Sequence, residues 1–320
     1  MKRIGVVTSG GDAPGMNAAI RAIVRLAAWN SLEVIGFERG WEGVIQNKFR
    51  KLDSRSVSGI LHLGGTILRT SRCPEFKTRQ GLEKAAGNLA EENLDGLVVI
   101  GGDGSIRGAH ELSRLTDTKI VALPASIDND VYGTDETIGF DTAVNTAISE
   151  INKIRDTAVS HERTFIVEVM GRRRGFLAVE VGLTAGAEVI LIPEVKYEED
   201  RVLEILRENA AKGKRSSIIV IAEGVGRTRS LAESIERKVG VEVRVSVLGY
   251  VQRGGSPTAR SRYLACTFAE KAMLLLSEGK GGEVVGIRGG EIVSTSLEDS
   301  CKNVKKLDPR VLRLAEKLAI

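Results

Sequence analysis

The segment IGVVTSGGDAPGMN (Ile4–Asn17) decides the fold class. Ile4–Thr8 is a short β-branched run without in–out alternation, the pattern of a strand covered on both faces. A glycine-rich turn follows, and Met16–Ala28 carries a helical pattern. Pro14 suits the first helical turn, where its missing N–H is no loss. In a strand–turn–helix of this kind, backbone N–H groups close on an anion at the positive end of the helix. Gly10 and Gly15 have the spacing of a Walker A loop, but Met16-Asn17 stands where that motif needs Lys-[Ser/Thr], and the GxGxxG fingerprint is not matched either. The segment therefore reads as a tight β–α turn or as a phosphate loop of another kind.

Reading outward, the same alternation recurs. Strands are expected at Leu32–Phe37, Leu94–Ile100, Lys119–Leu123, Thr164–Val169, Glu188–Ile192, Ser217–Ala222, Val241–Leu248 and Glu283–Ile287. Helical patterns lie between them, among them Thr142–Asp156, Glu199–Ala211 and Thr258–Ser277, the last with Leu264, Phe268, Ala272 and Leu275 on one face. This order predicts an α/β protein of two doubly wound lobes with mainly parallel sheets, divided near residues 138–140.

Composition narrows the function. The chain has 320 residues, 42% of them hydrophobic, enough for two cored lobes. Its 36 glycines, about 11%, exceed the usual ~7% and belong in turns where backbone approaches a ligand. The +4 charge is no nucleic-acid footprint by itself, and the 4% aromatic content with dispersed rather than continuous basic runs argues against such a partner. Cys73, Cys266 and Cys301 form no CxxC pair, and the histidines show no metal-ligand spacing, so neither a disulfide framework nor a His-based metal site is expected. No apolar run reaches ~18 residues and the N-terminus lacks a signal-peptide pattern, so a cytoplasmic protein without membrane contact is expected.

Three further segments carry chemistry. Leu97–Ser105 is a strand running into GGDGS, where Asp103 either holds Mg²⁺ with phosphate oxygens or caps a helix over Ser105–Leu112. Pro124–Asp130 follows another strand and offers Ser126, Asp128 and Asp130, either a general base with a second carboxylate or an Asx-turn with solvated acids. Arg163, Arg172–Arg174, Arg244 and Arg253 flank strand ends and form a second candidate anion site, since guanidinium forks bind phosphate bidentately.

In register along nearly the whole chain, SGGDAPGMNA (Ser9–Ala18), GGT-x-L (Gly64–Leu68), Thr70-Ser71-Arg72, GGDGS (Gly101–Ser105), IDND (Ile127–Asp130), VEVMGR (Val167–Arg172) and QRGGSP (Gln252–Pro257) resemble the bacterial ATP-dependent 6-phosphofructokinase family. The resemblance implies phosphorylation of the 1-hydroxyl of fructose 6-phosphate by Mg-ATP. Gly11, Arg72, Cys73, Gly102, Asp103, Gly104 and Ser105 would bind ATP, with Asp103 on Mg²⁺. Asp128 would be the base, and Ser126, Ile127, Met170, Gly171, Arg172, Glu223, Tyr250 and Arg253 would meet the sugar phosphate. Arg172 would also lie near the transferring phosphoryl group. Arg163 and Arg244 would reach in from a neighbouring subunit of a homotetramer. Arg21, Arg25, Arg155, Gly186, Glu188, Lys212, Lys214 and Arg215 would form an effector site for ADP or phosphoenolpyruvate. The lobes implied are 1–138 with 252–302, the larger and ATP-binding, and 139–251 with 303–320.

The chain departs from the family pattern at four places: Tyr250 for His, Ser126 for Thr, Trp41 for Tyr, and Ser54-Arg55 for an Arg-Tyr pair. Tyr250 cannot carry the charge of a His, which opens a reading as a sugar-phosphate-binding regulatory subunit. Pyrophosphate-dependent relatives typically carry Asp where Gly104 stands and Lys where Ala125 stands, so ATP is the expected donor.

Overall fold

The structure, a computed structural model, describes residues 1–319. Along the chain the elements are β1 (Arg3–Ser9), α1 (Met16–Trp29), β2 (Glu33–Phe37), α2 (Trp41–Ile45), β3 (Phe49–Leu52), α3 (Arg79–Glu91), β4 (Gly96–Gly101), α4 (Asp103–Ser113) and β5 (Lys119–Pro124). There follow α5 (Phe140–His161), β6 (Thr164–Val169), α6 (Phe176–Thr184), β7 (Val189–Leu191), α7 (Glu199–Ala211), β8 (Ser217–Ala222), α8 (Thr228–Val239) and β9 (Val243–Val247). The chain closes with α9 (Ala259–Ser277), β10 (Glu283–Arg288), β11 (Glu291–Ser296), α10 (Leu297–Lys302) and α11 (Pro309–Leu318).

Two compact units result. The first comprises Met1–Thr142 with Arg253–Lys305, the second Ala143–Gln252 with the segment from Lys306 on. The first holds a seven-stranded sheet in the order β11-β10-β5-β4-β1-β2-β3. Its inner strands, β10 to β2, pair in parallel and β4 is buried along its whole length, as its unbroken Gly-Leu-Val-Val-Ile-Gly requires. The edge strands β3 and β11 run antiparallel. Neither was expected: Phe49-Arg50-Lys51-Leu52 and Glu291–Ser296 lack the continuous apolar run by which the buried strands announce themselves. α1 and α9 pack together on this sheet, burying Ile20, Ile23, Leu264 and Phe268 completely.

The second unit holds a four-stranded, all-parallel sheet in the order β7-β8-β6-β9, with a core of Ile166, Ile219, Ile221, Leu203, Leu231 and Ile235. Among the described residues no helix is long and apolar enough to cross a membrane.

Both sheets reverse winding direction beside a central strand. In the first, β1 is followed by β2 on one side and joined by β4 on the other; in the second, β6 lies between β8 and β9. Crevices outside the carboxyl ends of strands at such points are where open α/β sheets take ligands.

Candidate functional site

In the first unit the carboxyl ends of three adjacent strands deliver three of the sequence motifs. Ser9 is the register partner of Gly101 across β1 and β4, and Gly101 is the partner of Pro124 across β4 and β5. The two glycine turns touch. A Cβ on Gly101 would lie 2.5 Å from the Ser9 carbonyl oxygen and 2.6 Å from Ser105 Oγ, so only glycine lets these loops close. Behind them, α1 begins after Gly15 and α4 after Gly102, and no side chain caps either helix. Pro14 lies just outside α1, before its Gly15 cap, rather than in the first helical turn. Two helix N-termini without side-chain caps, at adjacent strand ends, present backbone donors and positive dipole ends suited to a polyphosphate.

The remaining loops of this unit fasten onto these turns. Asn17, buried at the start of α1, donates to the carbonyls of Leu63 and Gly64 and accepts from Ile67 N–H. Thr70 Oγ1 donates to the Gly10 carbonyl over 2.8 Å, which brings Arg72 and Cys73 into the neighbourhood. Arg72 is exposed, whereas Cys73 packs partly against the core. From the far end of the chain, Arg253 Nη1 donates to the Asp12 carbonyl over 3.1 Å, and a Cβ on Gly11 would stand 2.3 Å from the same nitrogen. Arg253 thus lies against the first glycine turn, a partnership that sequence spacing does not reveal. Trp41 stacks on Phe76, with centroids 4.1 Å apart, beneath Gly108 of α4.

Asp103 opens the first turn of α4 rather than capping a helix from Ser105. Its Oδ2 accepts from Arg107 Nε over 2.9 Å, and that hydrogen bond holds the guanidinium above its ordinary range. Arg107 was not singled out from sequence, although an Asp and an Arg four residues apart on a helix are a recognisable pair. Among the described residues no three His, Cys, Asp or Glu side chains cluster to hold a metal. A cation here would have to be shared between one carboxylate and ligand oxygens, the usual mode for Mg²⁺ with nucleotide phosphates. A Cβ on Gly104 would meet nothing within 4 Å, so space is open beside it.

The segment after β5 is tightly ordered. Ser126 lies beside Gly102, and its Oγ accepts from Asp128 N–H over 3.2 Å. Asn129 adopts a left-handed conformation, φ 51°, paid back by its amide group: it donates to the Asp135 carbonyl and accepts from Thr137 N–H. Ile127 and Asp128 are buried, at 1% and 2% exposure, so the reading of a solvated acid does not hold for Asp128, whereas Asp130 is half-buried. Lys305 Nζ donates to the Asp135 carbonyl, steadying the same loop. Burial pulls the Lys305 pKa from 10.5 to about 8, against the attraction of Asp135, Asp130 and Glu136. Because the unfolded chain then binds the extra proton between about pH 8 and 10.5, stability gains with pH across that window. Thermal unfolding should show the wild type gaining roughly 1–3 °C on Lys305→Met between pH 7 and 10, and a constant difference would refute this.

The second unit carries its candidates at the two ends of its sheet. After β6, Met170 N–H donates to Gln252 Oε1 at 3.4 Å, Gly171 has φ 132° and Arg172 φ 54°. Arg172 N–H donates to Glu223 Oε1 over 2.6 Å, so the ends of β6 and β8 are joined. Tyr250, past β9 on a short 3₁₀ turn (Gly249–Arg253), is 82% exposed. Arg163 and Arg244 lie at the other end of the sheet, where both pair with Glu242, Arg163 over 2.6 Å. The length of β6, about 20 Å at ~3.3 Å per residue, separates them from Arg172. Elsewhere in this unit Lys214 pairs with the buried Glu188, which also accepts from Ile218 N–H. Arg155 donates to the carbonyls of Ala185 and Gly186. Lys212 and Arg215 are exposed nearby in sequence, and Arg21 and Arg25 lie on α1 of the first unit.

Comparison with known proteins gives this arrangement a context. A family profile described as Phosphofructokinase matches residues 3–276. The ATP-dependent 6-phosphofructokinase of Bacillus pumilus (strain SAFR-032) is 52% identical over 320 residues, the full length of both chains. Among solved structures, phosphofructokinase from Saccharomyces cerevisiae superposes with a TM-score of 0.90 at 33% identity, over all of this chain and 48% of that one. A pyrophosphate-dependent phosphofructokinase from Marinobacter aquaeolei shares the fold, with a TM-score of 0.86 at 20% identity over all of this chain and 92% of that one.

Proposed function

The chain belongs to the phosphofructokinase family, and from that premise we propose that it is an ATP-dependent 6-phosphofructokinase. It transfers the terminal phosphoryl group of ATP to the 1-hydroxyl of fructose 6-phosphate, giving fructose 1,6-bisphosphate and ADP, the committed step of glycolysis. The observation that carries this reading is the convergence of Gly10–Gly11, Gly102–Ser105 and Ser126–Asp128 at three adjacent strand ends. Two uncapped helix ends and a buried carboxylate together offer what phosphoryl transfer to an alcohol requires: donors on the phosphates and a base for the hydroxyl.

In this mechanism Gly11, Arg72, Cys73 and Gly102–Ser105 hold the nucleotide. Asp103 would ligate Mg²⁺, which neutralises charge on the phosphoryl oxygens when bound with ATP. Asp128 takes the proton of the 1-hydroxyl as the oxygen attacks, held in place by its Ser126 bond. Arg172, whose backbone N–H donates to Glu223, is assigned to the developing charge of the transferring group. Ile127, Met170, Gly171, Glu223, Tyr250 and Arg253 complete the sugar-phosphate contacts. Arg253, already against Gly11, is suited to the charge of either substrate. The fold is common to ATP- and pyrophosphate-dependent enzymes, so the donor is argued from side chains: open space at Gly104 and no cation at Ala125 support ATP.

The distance between Arg163 or Arg244 and Arg172 supports assigning these two to a neighbouring subunit of a homotetramer. Arg163→Ala is expected to raise KM for fructose 6-phosphate about 10–100-fold with kcat little changed, since its proposed contact is with the non-reacting phosphate. Steady-state kinetics check this, and a loss confined to kcat would remove Arg163 from substrate binding. We assign Arg21, Arg25, Arg155, Gly186, Glu188, Lys212, Lys214 and Arg215 to an effector site for ADP or phosphoenolpyruvate, and the protein to the cytoplasm.

A coupled assay on the purified protein tests the whole reading. Mg-ATP-dependent formation of fructose 1,6-bisphosphate is expected. No turnover at saturating substrates would overturn it in favour of a sugar-phosphate-binding regulatory subunit, and phosphorylation of a different acceptor in favour of another kinase.

A further inference from the structure

α4 carries a second charge that the mechanism above leaves idle. One helical turn after Asp103, Arg107 folds back so that its Nε donates to Asp103 Oδ2 over 2.9 Å. Its Nη1 donates to the carbonyl of Cys301 at the end of α10, again over 2.9 Å. An exposed i,i+4 ion pair alone does little for a helix. A guanidinium fixed at two points on separate elements does something else. It holds the carboxylate in one orientation, occupies one of its oxygens, and keeps a positive charge beside it. Asp130, from the loop that bears Asp128, lies within electrostatic range of the same guanidinium.

A divalent cation approaching Asp103 therefore meets a carboxylate whose charge is already largely balanced. Nucleotide phosphates bring negative charge of their own, which outweighs the guanidinium. We propose that Arg107 is a positioning residue that makes Asp103 a poor ligand for a bare divalent cation, so that the ion binds with the nucleotide rather than ahead of it. This rests on the reading of Asp103 as the cation's protein ligand.

The test measures binding of Mn²⁺ itself, from the electron-spin-resonance signal of the free ion, to the full chain with and without ADP. Without ADP, Arg107→Gln is expected to bind Mn²⁺ about three- to tenfold more tightly than the wild type at low ionic strength, and the gain should shrink as salt is added. Arg107→Lys, which keeps the charge, should match the wild type within about twofold, and Asp103→Asn added to Arg107→Gln should abolish the gain. No gain in Arg107→Gln overturns the proposal, as does an equal gain in Arg107→Lys. With ADP present, Asp103→Asn should lose Mn²⁺ affinity. If it does not, the reading of Asp103 fails, independently of Arg107.

Discussion

Asp128→Asn is expected to lower kcat by about 10²–10⁴, with KM for both substrates within about threefold of the wild type. Asparagine has the shape of aspartate and keeps its backbone N–H on Ser126 Oγ. The left-handed Asn129 and its bonds to Asp135 and Thr137 are untouched, so the loop should hold its form. What the amide cannot do is take a proton. Loss of a general base appears in the transition state alone, so kcat and kcat/KM should fall together. At 2% exposure the carboxylate is also out of reach of bulk water, which leaves no easy substitute for it. Initial-rate kinetics with a melting curve decide the matter. A folded variant with near-normal kcat would show that the proton goes elsewhere.

How much of this could be read from the residues depends on the kind of signal each left. Buried parallel strands such as Gly96–Gly101 are legible because they must be apolar on both faces. The edge strands Phe49–Leu52 and Glu291–Ser296 are not, because one side of an edge strand needs no partner and tolerates Arg, Lys, Ser and Thr. Glycine turns at strand ends pointed to a phosphate site, and their meeting at β1 and β4 follows from which strands pair, a fact no local pattern contains. The contact of Arg253 with the Gly11 turn has the same origin, since 241 residues separate it from its partner Asp12. Burial of Asp128 was hidden for a different reason. Two aspartates around an asparagine after a strand look like a solvated turn, and only the left-handed Asn129 and the Thr137 and Lys305 bonds order the segment. Arg107 left a readable trace in its spacing from Asp103, but its second anchor on Cys301 lies 194 residues away.

Gly104→Asp should separate stability from activity. The second position of α4 has open space where a side chain would go, so the new carboxylate fits without moving backbone. In the first turn of a helix a negative charge is favourable by about 0.3–1 kcal/mol, and replacing glycine removes a conformational cost as well. The melting temperature should therefore stay level or rise. Catalysis responds with the opposite sign. Those same helix-end donors are proposed to hold the ATP phosphates, and a fixed carboxylate about 5 Å from one phosphate charge costs about 3 kcal/mol at an effective dielectric near 20. That corresponds to a fall of about a hundredfold in kcat/KM for ATP, carried mostly by KM. Pyrophosphate should not become a donor in exchange. It needs a cation to replace the lost nucleotide contacts, and Ala125 is buried at 1% exposure and supplies none. Kinetics with ATP and with pyrophosphate, set beside a melting curve, distinguish the outcomes. Unchanged kcat/KM for ATP in a folded variant would move the phosphates away from Gly104, whereas a large drop in melting temperature would show that the open space is needed by the fold.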